Sequence, residues 1–139
     1  MSADSLLAAM MAAPQIGHAQ MGTVPLSSGV YTAWLGGEAR CLYVGKAGKT
    51  ASGNLRKRIQ SHFSGQRGSD QFCLYAYDAF IHYRRCQDNR HLTTKQVNQK
   101  TSRWIRAHVT FRWLELSPTD ADAAEFDMRR ELNPILNPL

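Results

Sequence analysis

Gly29 to Leu35 reads GVYTAWL and Arg40 to Gly45 reads RCLYVG, with Gly36-Gly37-Glu38 between them. Both runs are rich in β-branched and aromatic residues, and the glycine pair is turn composition, so the stretch predicts a β-hairpin. With a three-residue loop and Leu35 facing Ala39, counting back along the strands sets Tyr31 opposite Tyr43, both side chains on one face. A four-residue loop shifts the register by one and sends one tyrosine to the other side, because side chains alternate along a strand. Loop length therefore decides whether the two phenols meet.

Downstream, Gly45 to Gly53 (GKAGKTASG) is a glycine-punctuated loop that leads into a helix, which Ser52 or Asn54 can cap and Gly65 can close. Leu55, Ile59 and Phe63 form its apolar stripe at helical spacing. Arg58 and His62 are i, i+4 neighbours along one edge of that stripe and are expected to turn partly inward. Ser69 to Tyr83 reads as helix. So does Thr94 to His108, which would carry Lys95, Lys100, Arg103 and Arg106 on its surface. Val109 to Leu116 (VTFRWLEL) alternates as a third strand. In the last helix Ser117 and Asp120 make a capping-box-like start, Pro118 takes the tolerated first position, and Asn133-Pro134 ends it. Ala121, Ala124, Met128 and Leu132 are its buried stripe, and Glu125 falls among them. A carboxylate there loses hydration unless an arginine or a metal compensates it, so a structural ion pair and a metal ligand both remain open.

Upstream, residues 1–27 read as an N-terminal extension to a domain over 28–139, with an apolar helical piece around Leu6 to Met11. The length, 139 residues, suits one domain. The net charge of +6 is regional. From Arg40 to Arg112 there are fifteen Lys or Arg against Asp70, Asp78 and Asp88, whereas Trp113 to Leu139 has six acids against Arg129 and Arg130. Such a surface suits a polyanion, although charge alone also fits plainly solvated helices. Three cysteines, Cys41, Cys73 and Cys86, without paired spacing argue for free thiols and against a disulfide scaffold. No run is long enough to span a bilayer, and cytoplasmic residence is the expectation.

Gly29-Val30-Tyr31 and Tyr43-Val44-Gly45 resemble the two name-giving segments of the GIY-YIG nuclease superfamily. The resemblance continues in Lys46 after the second segment, in Arg58 and His62 as an Arg-x-x-x-His helix pattern, and in Glu125 ahead of Asn133, Pro134 and Asn137. It covers about 29 to 137. Neither short string is specific alone; their order and distance, with the arginine helix, third strand and glutamate helix, make the likeness. The basic stretch from Gln71 to His108 is longer than the family's minimal core, which leaves the subfamily open.

The resemblance implies an α/β fold, a small sandwich with a three-stranded antiparallel sheet flanked by helices. It also implies a phosphodiesterase site. Hydrolysis of a phosphodiester needs an activated water, charge neutralisation on the phosphate and help for the leaving oxygen. Tyr31 is the expected base, with Tyr43 as the alternative, and either phenol needs Lys46, the metal or another cation nearby to ionise near neutral pH. Arg58 would grip a phosphate oxygen. His62 would bond the phosphate or the base, or be a histidine satisfied at a helix edge. Glu125 would hold Mg²⁺ or Mn²⁺, and Asn137 would orient that helix end or a metal-bound water, or simply cap the chain end. Lys49, Lys57, Arg67, Lys95, Lys100, Arg103 and Arg106 are the expected DNA contacts. A metal-dependent DNA endonuclease is the leading expectation; a binding module without activity, or a nuclease subunit active only within a repair complex, are the alternatives. Cys73, His82, Cys86 and His91 match no common zinc spacing, and Gly45 to Gly53 lacks a P-loop pattern. Trp34, Trp104 and Trp113 are expected in the core.

Overall fold

The computed structural model describes residues 2–37, 39–51, 53–82 and 92–137. β1 (Gly29–Leu35), β2 (Cys41–Ala47) and β3 (Val109–Glu115) form an antiparallel sheet of order β2-β1-β3. Tyr31 pairs with Gly45 and Ala33 with Tyr43, so the tyrosines are not directly opposite. Two irregularities account for the change. Leu35 N–H donates to Arg40 C=O at 3.2 Å, which leaves four residues in the loop, and a bulge then sets Trp34 against Cys41. Each slip moves the register by one, so together they restore the parity that one alone would break. The phenols share a face diagonally, with ring centroids 6.4 Å apart and 30° between planes.

The motif glycines follow from close approach. A Cβ on Gly29 would run into the backbone carbonyl of Leu114 on β3, and one on Gly45 would overlap the ring and hydroxyl of Tyr31. Alternation then sorts the two layers. Tyr31, Ala33 and Phe111 pack beneath α2 (Leu55–Phe63), α3 (Gln71–Ala76) and α4 (Thr94–His108), against Leu55, Ile59, Phe63, Phe72 and Ile105. On the other face Val30, Trp34 and Val44 pack against Met10 of α1 (Ala3–Ala12) and Ala124 and Met128 of α5 (Pro118–Leu132). Trp34 is core as expected, while Trp104 and Trp113 are partly buried at its margin.

The helix ends use the expected chemistry. Asn54 Oδ1 accepts the Lys57 N–H at 3.0 Å, whereas Ser52 lies outside the described residues. Gly65, at φ +75°, turns the chain where a side chain would strike the backbone of Asn98 and Ser102 on α4. Ser117 Oγ accepts the Asp120 N–H at 3.1 Å, and Asn133 closes α5 at φ +46°. The helix expected over Ser69 to Tyr83 starts at Asp70 as cap and widens into a π-helical turn over Tyr77–His82.

Both outer strands are covered. Ile16 exchanges two backbone hydrogen bonds with Phe111, each 2.9 Å, along the free side of β3. Leu136 N–H donates to Leu42 C=O at 2.9 Å along the free side of β2. Met10, Ile16 and Val24 are buried, so residues 2–27 contribute to the core. Among the described residues no helix is long and apolar enough to cross a membrane.

Candidate active site

β1 and α2 bring Tyr31 and His62 together: the Tyr31 hydroxyl lies 2.7 Å from His62 Nε2. His62 Nδ1 in turn lies 2.7 Å from Oδ2 of Asp70, the residue that caps α3. Asp70 also accepts from Ser61 Oγ at 2.7 Å and from the Cys73 N–H at 3.0 Å. Tyr31 is fully buried, and His62 and Asp70 are 6% and 7% exposed, so little water competes for these bonds. Burial alone would raise the Asp70 carboxyl, but His62, Ser61 and the Cys73 amide outweigh it and hold the group down at about 2. Asp70 is therefore a carboxylate that only accepts, and Nδ1 is the nitrogen that donates. In the neutral ring Nε2 then accepts the Tyr31 hydroxyl proton.

Arg58 is near enough for its charge to favour the Tyr31 phenolate. It is exposed, whereas His62 one turn along is buried, so only the histidine turns inward as expected. Burial, with Tyr43 adding to it, pushes the Tyr31 phenol far up, against the pull of Arg58. Tyr43 is half-buried and likewise raised, first by burial and further by Asp70 and Glu125, while Arg58 and Arg129 pull it down. The two phenols thus differ in access: water reaches Tyr43 and not Tyr31.

Glu125 belongs to α5 on the opposite layer, yet its charge reaches Tyr43. Its side chain is 22% exposed, and the nearest cation is Arg129 one helical turn on, a loose pair at 3.9 Å. Glu125, Arg129, Asn133 and Asn137 line a groove of about 350 Å³. Arg58 lines a neighbouring groove of about 330 Å³ with Lys46, Thr50 and Asp122. Tyr31, Tyr43, Arg58 and His62 therefore form one cluster, and Glu125 joins it through Tyr43 from the far side of β2.

Two expected site residues have partners elsewhere. Lys46 is three residues beyond Tyr43, an odd offset, so it leaves the other face of β2 and pairs with Asp122 of α5. The cation beside the phenols is Arg58. Asn137 is held by β2: its Oδ1 accepts the Val44 N–H at 2.8 Å and its Nδ2 donates to Val44 C=O at 2.9 Å. It ties the chain end to β2.

Among the expected nucleic-acid contacts, Lys49, Lys57, Lys95, Arg103 and Arg106 are exposed and Lys100 is half-buried. Arg67 is held inward, with Nε donating to Asn98 Oδ1 at 2.8 Å and the guanidinium 4.6 Å from the centre of the Tyr77 ring. That clasp joins the turn after α2 to α4, so Arg67 has a structural task. Cys86 and His91 lie outside the described residues. Among the described residues no three His, Cys, Asp or Glu gather as a metal site. Cys73 is buried within reach of the Ser61 and His62 carbonyls.

Asp70 is the participant that the sequence did not single out. The available signal was its position as a helix cap, which is common and says nothing of a histidine eight residues earlier.

No curated protein and no solved structure matches the chain significantly. The family model described as the GIY-YIG catalytic domain matches residues 28–138, from the start of the hairpin through the end of the glutamate helix. The chain belongs to this GIY-YIG family, and its function is of the nuclease type.

Proposed function

We propose that the protein is a metal-dependent DNA endonuclease in which Arg58 grips the scissile phosphate and a tyrosine beside it takes the proton of the attacking water. The observation that carries this reading is the Tyr31, Tyr43, Arg58 and His62 cluster with the Glu125 charge at its border. Tyr43, which solvent reaches, is better placed for the water than buried Tyr31. Arg58 presents a permanently charged, planar donor to non-bridging oxygens. Its exposure on a groove supports contact with a ligand as large as DNA.

Glu125 suits Mg²⁺ or Mn²⁺. A partly exposed carboxylate on a groove, loosely paired at 3.9 Å, is the lone protein ligand that such hard cations accept alongside water and phosphate oxygens. Glu125 would hold the cation, which when bound would supply positive charge to the leaving 3′ oxygen. The exposed Lys49, Lys57, Lys95, Arg103 and Arg106 support a DNA path over the loop after β2 and the surfaces of α2 and α4.

The test is cleavage of plasmid, nicked, flap and junction DNA over a titration of Mg²⁺ and Mn²⁺. Cutting is expected only with the metal. Arg58→Ala and Glu125→Gln are each expected to abolish it while DNA is still bound. Folded protein that leaves every substrate intact overturns the reading.

A further inference from the structure

We infer that Asp70 is a positioning residue of the site, fixing through His62 the direction in which the Tyr31 hydroxyl points. The inference rests on the reading of the Tyr31, Tyr43, Arg58 and His62 cluster as the site of DNA cleavage.

Asp70 accepts three hydrogen bonds, from Ser61, the Cys73 amide and His62, in a nearly dry site. In the neutral ring its bond to Nδ1 selects the tautomer whose Nε2 is bare, and the Tyr31 hydroxyl 2.7 Å away then donates to it. With that proton committed to His62, the phenol oxygen turns lone pairs, and not its proton, to the rest of the site. Donor direction thus runs one way from Tyr31 to His62 to Asp70. Had His62 carried its proton on Nε2, Tyr31 would be the acceptor there and its own proton would turn toward the rest of the site.

A cap for α3 does not require this arrangement, since asparagine caps a helix as well as aspartate does. The negative charge and the acceptor-only character of Asp70 matter to His62, not to the helix. Phe72 at 4.9 Å and Tyr31 at 5.4 Å between centroids enclose the imidazole, and its hydrogen bonds at both nitrogens hold its orientation. In the neutral ring Asp70 then sets the tautomer.

The test uses the full chain, ¹⁵N-labelled, with the His62 signals assigned by comparison with His62→Gln. Two-bond proton–nitrogen correlation spectra are expected to show a protonated Nδ1 and a bare Nε2. Asp70→Asn is expected to move the proton to Nε2, because the amide then donates to Nδ1. It should also lower kcat for DNA cleavage by about tenfold or more, as for other groups that orient a functional side chain, with DNA affinity changed less than about twofold. Tyr31→Phe should lower kcat similarly without moving the His62 proton. Wild-type His62 protonated at Nε2, or a Tyr31→Phe or Asp70→Asn protein that cuts at the wild-type rate, overturns the inference. If the wild-type protein cuts no DNA, the proposed function fails by itself, and the wild-type and Asp70→Asn tautomers still decide whether Asp70 sets the chain. Should Asp70→Asn not fold, the wild-type tautomer and Tyr31→Phe decide it.

Discussion

Tyr31 crosses the hairpin directly over Gly45, and its hydroxyl occupies the space in which a side chain at position 45 would begin. Gly45→Ala must therefore displace the phenol or the strand. Overpacking of this kind costs about 1–3 kcal/mol, and thermal unfolding should show the loss. Because the displaced hydroxyl is the partner of His62, cleavage should fall further than stability does. A variant with wild-type melting and wild-type turnover would contradict the tight crossing.

Tyr43 feels Arg58 and Arg129 as favourable to its phenolate and Glu125 as unfavourable. Arg58→Ala should move its titration to higher pH and Glu125→Gln to lower pH. Lys46→Ala should leave it in place, since Lys46 extends from the opposite face toward Asp122. Carbon-13 shifts of the tyrosine ring followed against pH measure all three. A larger response to Lys46→Ala than to Arg58→Ala would mean that the strand faces have been misassigned.

Asp70 gives stability a defined dependence on acid. Its carboxyl is held at about 2 in the folded protein against 3.8 when free. The folded state therefore binds this proton less readily than the unfolded one. The contribution, about 2 kcal/mol, is complete above pH ~4 and disappears as pH falls toward about 2. Denaturant titrations across that range should show the slope in the wild-type protein and a flatter one in Asp70→Asn. Equal slopes would remove the buried carboxylate from the account.

Asn137 holds both backbone groups of Val44. Asn137→Ala should destabilise the fold by about 1–3 kcal/mol, the cost of leaving buried polar groups without partners. At saturating metal and substrate, below the melting transition, its kcat should stay close to wild type. A collapse of kcat with stability intact would return Asn137 to the reaction itself.

What could be read from the sequence was whatever is local. The 3.6-residue stripes of α2 and α5, the Asn54 and Ser117 caps, the stop at Asn133 and the alternation in β3 each depend on residues within a turn or two of each other. The register of the hairpin depends on a bulge beside Leu42 that no residue marks, and shared parity of the tyrosines survived only because two slips cancel. The Asp70 contact to His62 depends on how the turn through Gly65 folds back, which is tertiary. Lys46 differs in kind: its odd offset from Tyr43 already placed it on the other face, and the family pattern drew attention away from that count.

Ile16 beside Phe111 and Leu136 beside Leu42 have a practical consequence for anyone shortening the protein. A chain trimmed to residues 28–138 would keep the whole family match and still strip β3 of its neighbour, exposing the amide and carbonyl of Phe111 to a second molecule. Such a fragment invites sticky, strand-to-strand aggregation, so the boundary that sequence similarity draws is not the boundary at which this molecule stays well behaved in a tube.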